Sequence, residues 1–215
     1  MSTITKEQEA KIREYLDSHV LPAGLGTEGS ACSIAAINLS LTGKLTDVVP
    51  GCMSYVIGRW IIRIQDSMPS DMRNSIKWKY LLPLAAGTGR DADAEKRRMN
   101  LILGWMWDVV LPSLQPIADK RGYGDKWKAM TDGKTVELAR KARDAADAAA
   151  ADAAYAADAA AAATATATVT ADADAAYAAA AAASASAAAT AATATRKTVW
   201  EHFDPCSLLE KLIEA

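Results

Sequence analysis

The chain has 215 residues and a formal net charge of −2. That length fits one ordinary domain with an appendage, and the charge lacks the basic surplus that long nucleic acid requires. The charge is unevenly spread: residues 1–143 hold 21 Lys+Arg against 16 Asp+Glu, whereas residues 144–195 hold six Asp and no Lys or Arg. A mildly basic body thus carries an acidic arm, which favours docking of arm on body or of one subunit's arm on another.

Taken in chain order, the first expected helix runs from about Thr5 to Val20. Thr5 and Gln8 have capping-box spacing, and Ile12, Leu16 and His19, with Tyr15, mark an inner face. Pro22, Gly24 and Gly26 end it. A glycine-bearing loop and a short apolar helix follow, with Ser30 as expected cap and Gly43 as stop. The third helix has the clearest stripe: Met53, Val56, Ile57, Trp60, Ile61 and Ile64. Arg59, Arg63 and Asp66 fall off that stripe. A fourth helix, capped by Ser70, carries Met72, Ile76, Tyr80 and Leu84, with a break or kink expected at Pro83. Asp91 or Asp93 starts a fifth, through Met99, Ile102, Met106 and Val110, disrupted at Pro112. Asp125 is the expected cap of a short helix around Trp127, and Gly133 closes the body. No strand pattern is convincing.

From Lys134 to Asp204 there is no Gly and no Pro, and alanine, the best helix former, dominates. One helix of that length would span ~105 Å. A hairpin bending near Thr164–Thr170 is the favoured alternative. The segments 151–163 and 173–185 form a weak repeat that places Tyr155 and Tyr177 22 residues apart. In DPCSLLEKLIEA, Asp204 caps and Pro205 opens a small amphipathic helix, expected to dock on the body. The predicted architecture is all-α: a helical body (1–133), an Ala-rich helical arm (134–203) and a docking helix (204–215).

Few residues suggest chemistry. His19 and His202 have no second ligand at metal spacing, and no nucleophile or cofactor motif is present. Cys32, Cys52 and Cys206 have no paired spacing and read as reduced thiols of a cytoplasmic protein. The start of the chain does not read as a signal peptide, and the Ala run is too poor in large apolar residues to read as a membrane span. Gly87-Thr88-Gly89-Arg90 before a helix start is the best anion-binding pattern, since curled backbone and helix N–H groups attract phosphate. It lacks a Walker lysine, Asp91 and Asp93 oppose an anion, and a plain loop-and-cap role is the simpler reading. Six Trp against one Phe is unusual. Trp60 reads as core. Trp78, between Lys77 and Lys79, is expected half-exposed, and one of Trp105 and Trp107 at an edge or pocket, because residues two apart cannot share a helix face. A Trp wall beside Arg or Lys suits a nucleobase and its phosphate, and equally a protein interface.

The segments SACSIAAINLSLTGKLTDVVP, LLPLAAGTGRD and WMWDVVLPSLQP resemble proteins of bacteria and their phages that join a similar body to an Ala-rich tail. The resemblance spans most of residues 28–130. It carries over no catalytic residue and implies a setting of bacterial or phage conflict. The tail is also similar in composition to alanine-rich stretches of helical immunity proteins.

The expectation from the sequence is a non-catalytic, cofactor-free binder of a small anionic ligand of nucleotide type, cyclic nucleotides included. Its candidate binding residues are Arg59, Arg63, Arg73, Trp78, Gly87, Thr88, Gly89, Arg90, Trp105 and Trp107. A homo-oligomer is expected, without membrane or long nucleic acid as partner. The alternatives are a helical inhibitor or immunity protein using the arm as its interface, and an enzyme whose carboxylates, Asp66 and Asp108, meet only in the fold.

Overall fold

The computed structural model describes residues 4–148 and 193–215, and these are mostly helical. Thr164–Thr170, the repeat, Tyr155 and Tyr177 lie outside the described residues. The helices pack into two compact units, one of residues 1–98 with 205–215, the other of residues 99–204.

In the first unit, helix α1 (Lys6–Ser18) begins with the capping box: the Thr5 N–H donates to Gln8 Oε1 at 2.8 Å and the Gln8 N–H to Thr5 Oγ1 at 3.1 Å. Ile12 and Leu16 face inward. A minimal antiparallel ladder follows, β1 (Gly26–Thr27) with β2 (Ser30–Ala31), which the sequence did not announce. Ser30 therefore sits in a strand, and Cys32 precedes helix α2 (Ser33–Thr42). Gly43 ends α2 in the left-handed conformation, at φ 71°.

Helix α3 (Tyr55–Gln65) is capped by Ser54 and buries the whole expected stripe. Gly58 lets it lie close to the preceding loop: a β-carbon there would overlap both Val49 methyls, Cγ2 at 2.7 Å. Helix α4 (Ser70–Arg73) is a single turn, separated from α5 (Ile76–Ala86) by a new cap at Ser75. Pro83 does not break α5. The expected stripe of α5 is also displaced. Ile76 is 90% exposed and Tyr80 55%, whereas Trp78, Leu81, Leu82 and Ala85 are buried. Trp78 is fully buried rather than half-exposed, and its indole N–H donates to Ser33 Oγ at 3.2 Å.

Helix α6 (Ala92–Trp105) is capped by Asp91, whose carboxylate accepts the Ala94 N–H at 2.9 Å. The boundary between the units falls within it. A π-helical turn (Met106–Val110) follows, closed by the Leu111 N–H on Met106 O. Pro112 supplies the reason: it has no N–H to give Asp108 O, so the regular ladder fails there. In the second unit this turn meets α7 (Leu111–Ser113), which leads to α8 (Gln115–Lys120) and α9 (Gly124–Gly133). The start of α9 has Tyr123, not Asp125, in the cap position. Helix α10 (Val136–Ala148) packs on α9, and α11 (Thr193–Phe203) packs on the π turn. Trp105, Trp200 and Phe203 make edge-on ring contacts there, with centroids 5.5–6.0 Å apart.

Helix α12 (Pro205–Glu214) belongs to the first unit and packs on α3 and α5, burying Leu208, Leu209 and Leu212. No described helix is long and apolar enough to cross a membrane.

Candidate functional site

The N-terminal end of α3 is held by bonds from several segments of the first unit. The Ser54 N–H donates to Thr88 Oγ1 at 2.9 Å, and that hydroxyl donates to Ala85 O at 2.7 Å. The Gly89 N–H donates to Cys52 O at 2.8 Å, with Gly89 in the left-handed conformation. Arg90 reaches back across the corner, donating from Nε to Met53 O at 3.2 Å and from Nη2 to Val49 O at 3.0 Å. Glu95 accepts the Val56 N–H at 2.9 Å and is held in turn by Arg98 at 3.0 Å. Arg98, 3% exposed, also donates to Leu212 O at 3.0 Å.

This bracing fixes what the GTGR loop does. The Gly87 and Thr88 N–H groups close the end of α5 on Leu84 O and Ala85 O. The Gly89 N–H is committed to Cys52, and the start of α6 is capped by Asp91. The loop shapes the corner; it does not present a cradle of N–H groups. The start of α3 is likewise satisfied by Ser54 and Glu95. Any anion held here is held by side chains.

Those side chains converge on Tyr55, the half-exposed first residue of α3. Arg59, one turn along, places its guanidinium carbon 5.9 Å from the ring centroid. Arg90 places its own 5.8 Å from the same ring. Each contact is of cation–π length and contributes about 0.5–1 kcal/mol at an exposed site. Arg63 lies one more turn along. Burial lowers its pKa first, the charge of Arg59 adds to that, and Asp66 opposes both. Two guanidiniums thus flank one aromatic ring, with a third close enough to feel the field. Beside them burial pushes the Cys52 thiol up, with the charge of Arg90 partly offsetting it.

The structure therefore brings Arg59 and Arg90 to the Tyr55 ring, with Gly87, Thr88 and Gly89 framing the corner, and sets Arg63 a further turn along α3. It places the other candidates elsewhere. Arg73, 6% exposed, donates to Leu21 O, Gln65 O and Met68 O at 3.0, 2.7 and 2.8 Å, tying the segment after α1 to the end of α3. Trp78 is core. Trp105 and Trp107 belong to the second unit and are each 8% exposed. Trp105 donates to Phe203 O at 2.7 Å. Trp107 lines a shallow groove of 380 Å³ with Asp108 and Lys134, themselves paired at 2.5 Å. Asp66 accepts the Gly24 N–H at 2.8 Å.

Sequence reasoning passed over Tyr55, Glu95 and Arg98. Tyr55 had a signal: it stands four residues before Arg59, on the same face outside the apolar stripe. Glu95 and Arg98 had none beyond helical spacing, because their partners lie in other segments. Among the described residues no group of three His, Cys, Asp or Glu is arranged to hold a metal ion. None of the protein-family models, curated proteins or solved structures compared with the chain matches it.

Proposed function

We propose that the chain is a non-catalytic binding protein that sequesters a small anionic ligand of nucleotide type at the Tyr55–Arg59–Arg63–Arg90 corner. The observation that carries this reading is the placement of two guanidiniums within 6 Å of one half-exposed tyrosine ring. Arg59 supplies a guanidinium of the kind that matches phosphate oxygens in bidentate fashion, while Arg90, whose Nε and Nη2 donate to backbone carbonyls, adds its charge. The tyrosine offers the flat apolar surface on which a base stacks. The bracing below holds Arg90 and Tyr55 in register before any ligand arrives, which reduces the ordering cost of binding.

The setting of bacterial or phage conflict implied by the sequence resemblance suits a sponge for nucleotide signals, cyclic ones included. The finer reading of the Ala-rich arm, a helical hairpin through which copies assemble, goes with this proposal and rests on its sequence alone.

The test is incubation of the full chain with linear and cyclic purine and pyrimidine nucleotides, followed by thermal melting and chromatography of the denatured mixture. The proposal expects a raised melting temperature with at least one nucleotide and its recovery intact. Recovery of an altered nucleotide would make the protein an enzyme. The absence of a shift with every nucleotide would favour a protein partner instead.

A further inference from the structure

Arg98 stands behind both wings of the Tyr55 corner. Its side chain is buried and makes contacts on three sides. Nη1 donates to Glu95 Oε1 at 3.0 Å, and Glu95 Oε2 accepts the N–H of Val56, the residue after Tyr55, at 2.9 Å. Nη1 also reaches Gly89 O at 3.4 Å, the carbonyl bonded to the Arg90 nitrogen. Nε donates to Leu212 O at 3.0 Å, in the last turn of α12. One guanidinium thus joins α12 to the backbone that carries Tyr55 and to the backbone that carries Arg90.

Neither end of this chain of bonds is supplied by a helix ladder. Val56 is the second residue of α3, so its N–H has no carbonyl one turn back within the helix, and Glu95 is its acceptor. Leu212 O lies where the carbonyls of α12 run out of helical partners, and a cation there meets the negative end of the helix dipole. Helix α12 itself is seated by Leu208, Leu209 and Leu212 and by the Glu210–Lys77 pair at 3.0 Å. Asp204, left-handed at φ 41°, breaks it from α11, so it can shift as a separate rod.

We propose that the seating of α12 regulates anion capture at the Tyr55 corner, with Arg98 as the positioning residue that connects the two. With α12 seated, Arg98 is anchored on Leu212 O, holds Glu95 against the Val56 N–H and supports Gly89 O. With α12 displaced, that anchor is lost, the hold on Glu95 slackens, and Tyr55 and Arg90 lose their common support. The coupling runs both ways, so an anion in the corner strengthens the seat of α12. The regulatory consequence rests on the ligand reading above; the coupling itself does not.

Amide hydrogen exchange of the full chain without ligand, read by NMR, tests the coupling. The Val56 amide is the reporter, because Glu95 rather than the α3 ladder holds it, and the Leu16 amide of α1 is the control. Leu208→Ala loosens the seat and should speed Val56 exchange at least tenfold more than Leu16 exchange. Glu210→Lys, a surface change that leaves the core intact, should speed it about threefold. In an Arg98→Met background neither substitution should speed Val56 further. Equal acceleration of Val56 and Leu16 overturns the proposal, as does acceleration that persists undiminished without Arg98. Adenosine and guanosine monophosphates then separate the regulation from the ligand reading. A nucleotide that binds should slow the Val56 and Leu212 amides together, at least tenfold at saturation, and in Arg98→Met it should no longer slow Leu212. Binding that leaves Leu212 exchange unchanged in the wild type overturns the regulatory role. A wild type that binds neither nucleotide counts against the ligand reading, and the coupling then stands or falls on the exchange of Val56.

Discussion

Replacing Arg73 separates a folding role from a ligand role. In Arg73→Met the new side chain keeps much of the aliphatic volume and loses every donor. Three carbonyls, on Leu21, Gln65 and Met68, then lose partners at 3.0, 2.7 and 2.8 Å, and all three residues are buried. A hydrogen bond to a charged group contributes about 1.5–3 kcal/mol, and the three are not additive because one guanidinium makes them all. Leaving a buried acceptor without its donor costs about 1–3 kcal/mol, and with Asn74 still on Leu21 O the loss of the other two bonds comes to about 3–5 kcal/mol. For a unit of about a hundred residues that lowers the melting temperature by at least ~12 °C. Circular dichroism of the full chain reads this directly, with urea unfolding followed by tryptophan fluorescence as a second probe. A loss below about 1 kcal/mol would refute the reasoning and return Arg73 to the candidates for ligand binding.

Three further outcomes follow from the same geometry. Gly58→Ala drives a methyl into Val49, so it should destabilise by about 1–2 kcal/mol despite alanine's higher helix propensity; adding Val49→Ala should recover part of this in a thermal melt. Cys52 should react with iodoacetamide along a pH curve displaced above that of a free thiol. The unfolded thiol ionises first, so the associated stability is present below the ordinary thiol pKa and is lost as pH rises through the folded value. Glu95→Ala leaves the Val56 N–H and Arg98 without their shared carboxylate, and should cost about 2–4 kcal/mol in chemical denaturation; an unchanged midpoint would show that water replaces it.

Helices with local grammar were legible in the sequence. The Thr5–Gln8 box, the Gly43 stop and the α3 stripe each depend on residues within a few positions. The failures have a common physical cause. Helix α5 is apolar on two sides, so the Ile76–Tyr80–Leu84 row and the Trp78–Leu81–Leu82–Ala85 row competed, and only packing against α1, α2 and α12 decides between them. Trp78 was misread because its polar partner, Ser33, stands 45 positions away. The short ladder at Gly26–Ala31 is too brief to show alternation. At the site, the arginines were found by type, but Arg73 and Arg90 both donate to backbone carbonyls, and what separates them, burial of Arg73 and exposure of Arg90 beside Tyr55, is set by packing of distant segments. Tyr55 was missed because a single aromatic outside the stripe carries no period.

The central claim is that the Tyr55 corner holds an anionic nucleotide, and calorimetric titration of the full chain tests it most directly. Linear and cyclic adenosine and guanosine nucleotides would be titrated into the wild type, Tyr55→Ala and Arg59→Ala, at low and at raised salt. The account predicts binding by the wild type that weakens with salt, and a loss of at least about tenfold, or 1.4 kcal/mol, in each variant with the melting temperature unchanged. Equal affinity in all three proteins, or no binding heat with any of these nucleotides, would contradict it.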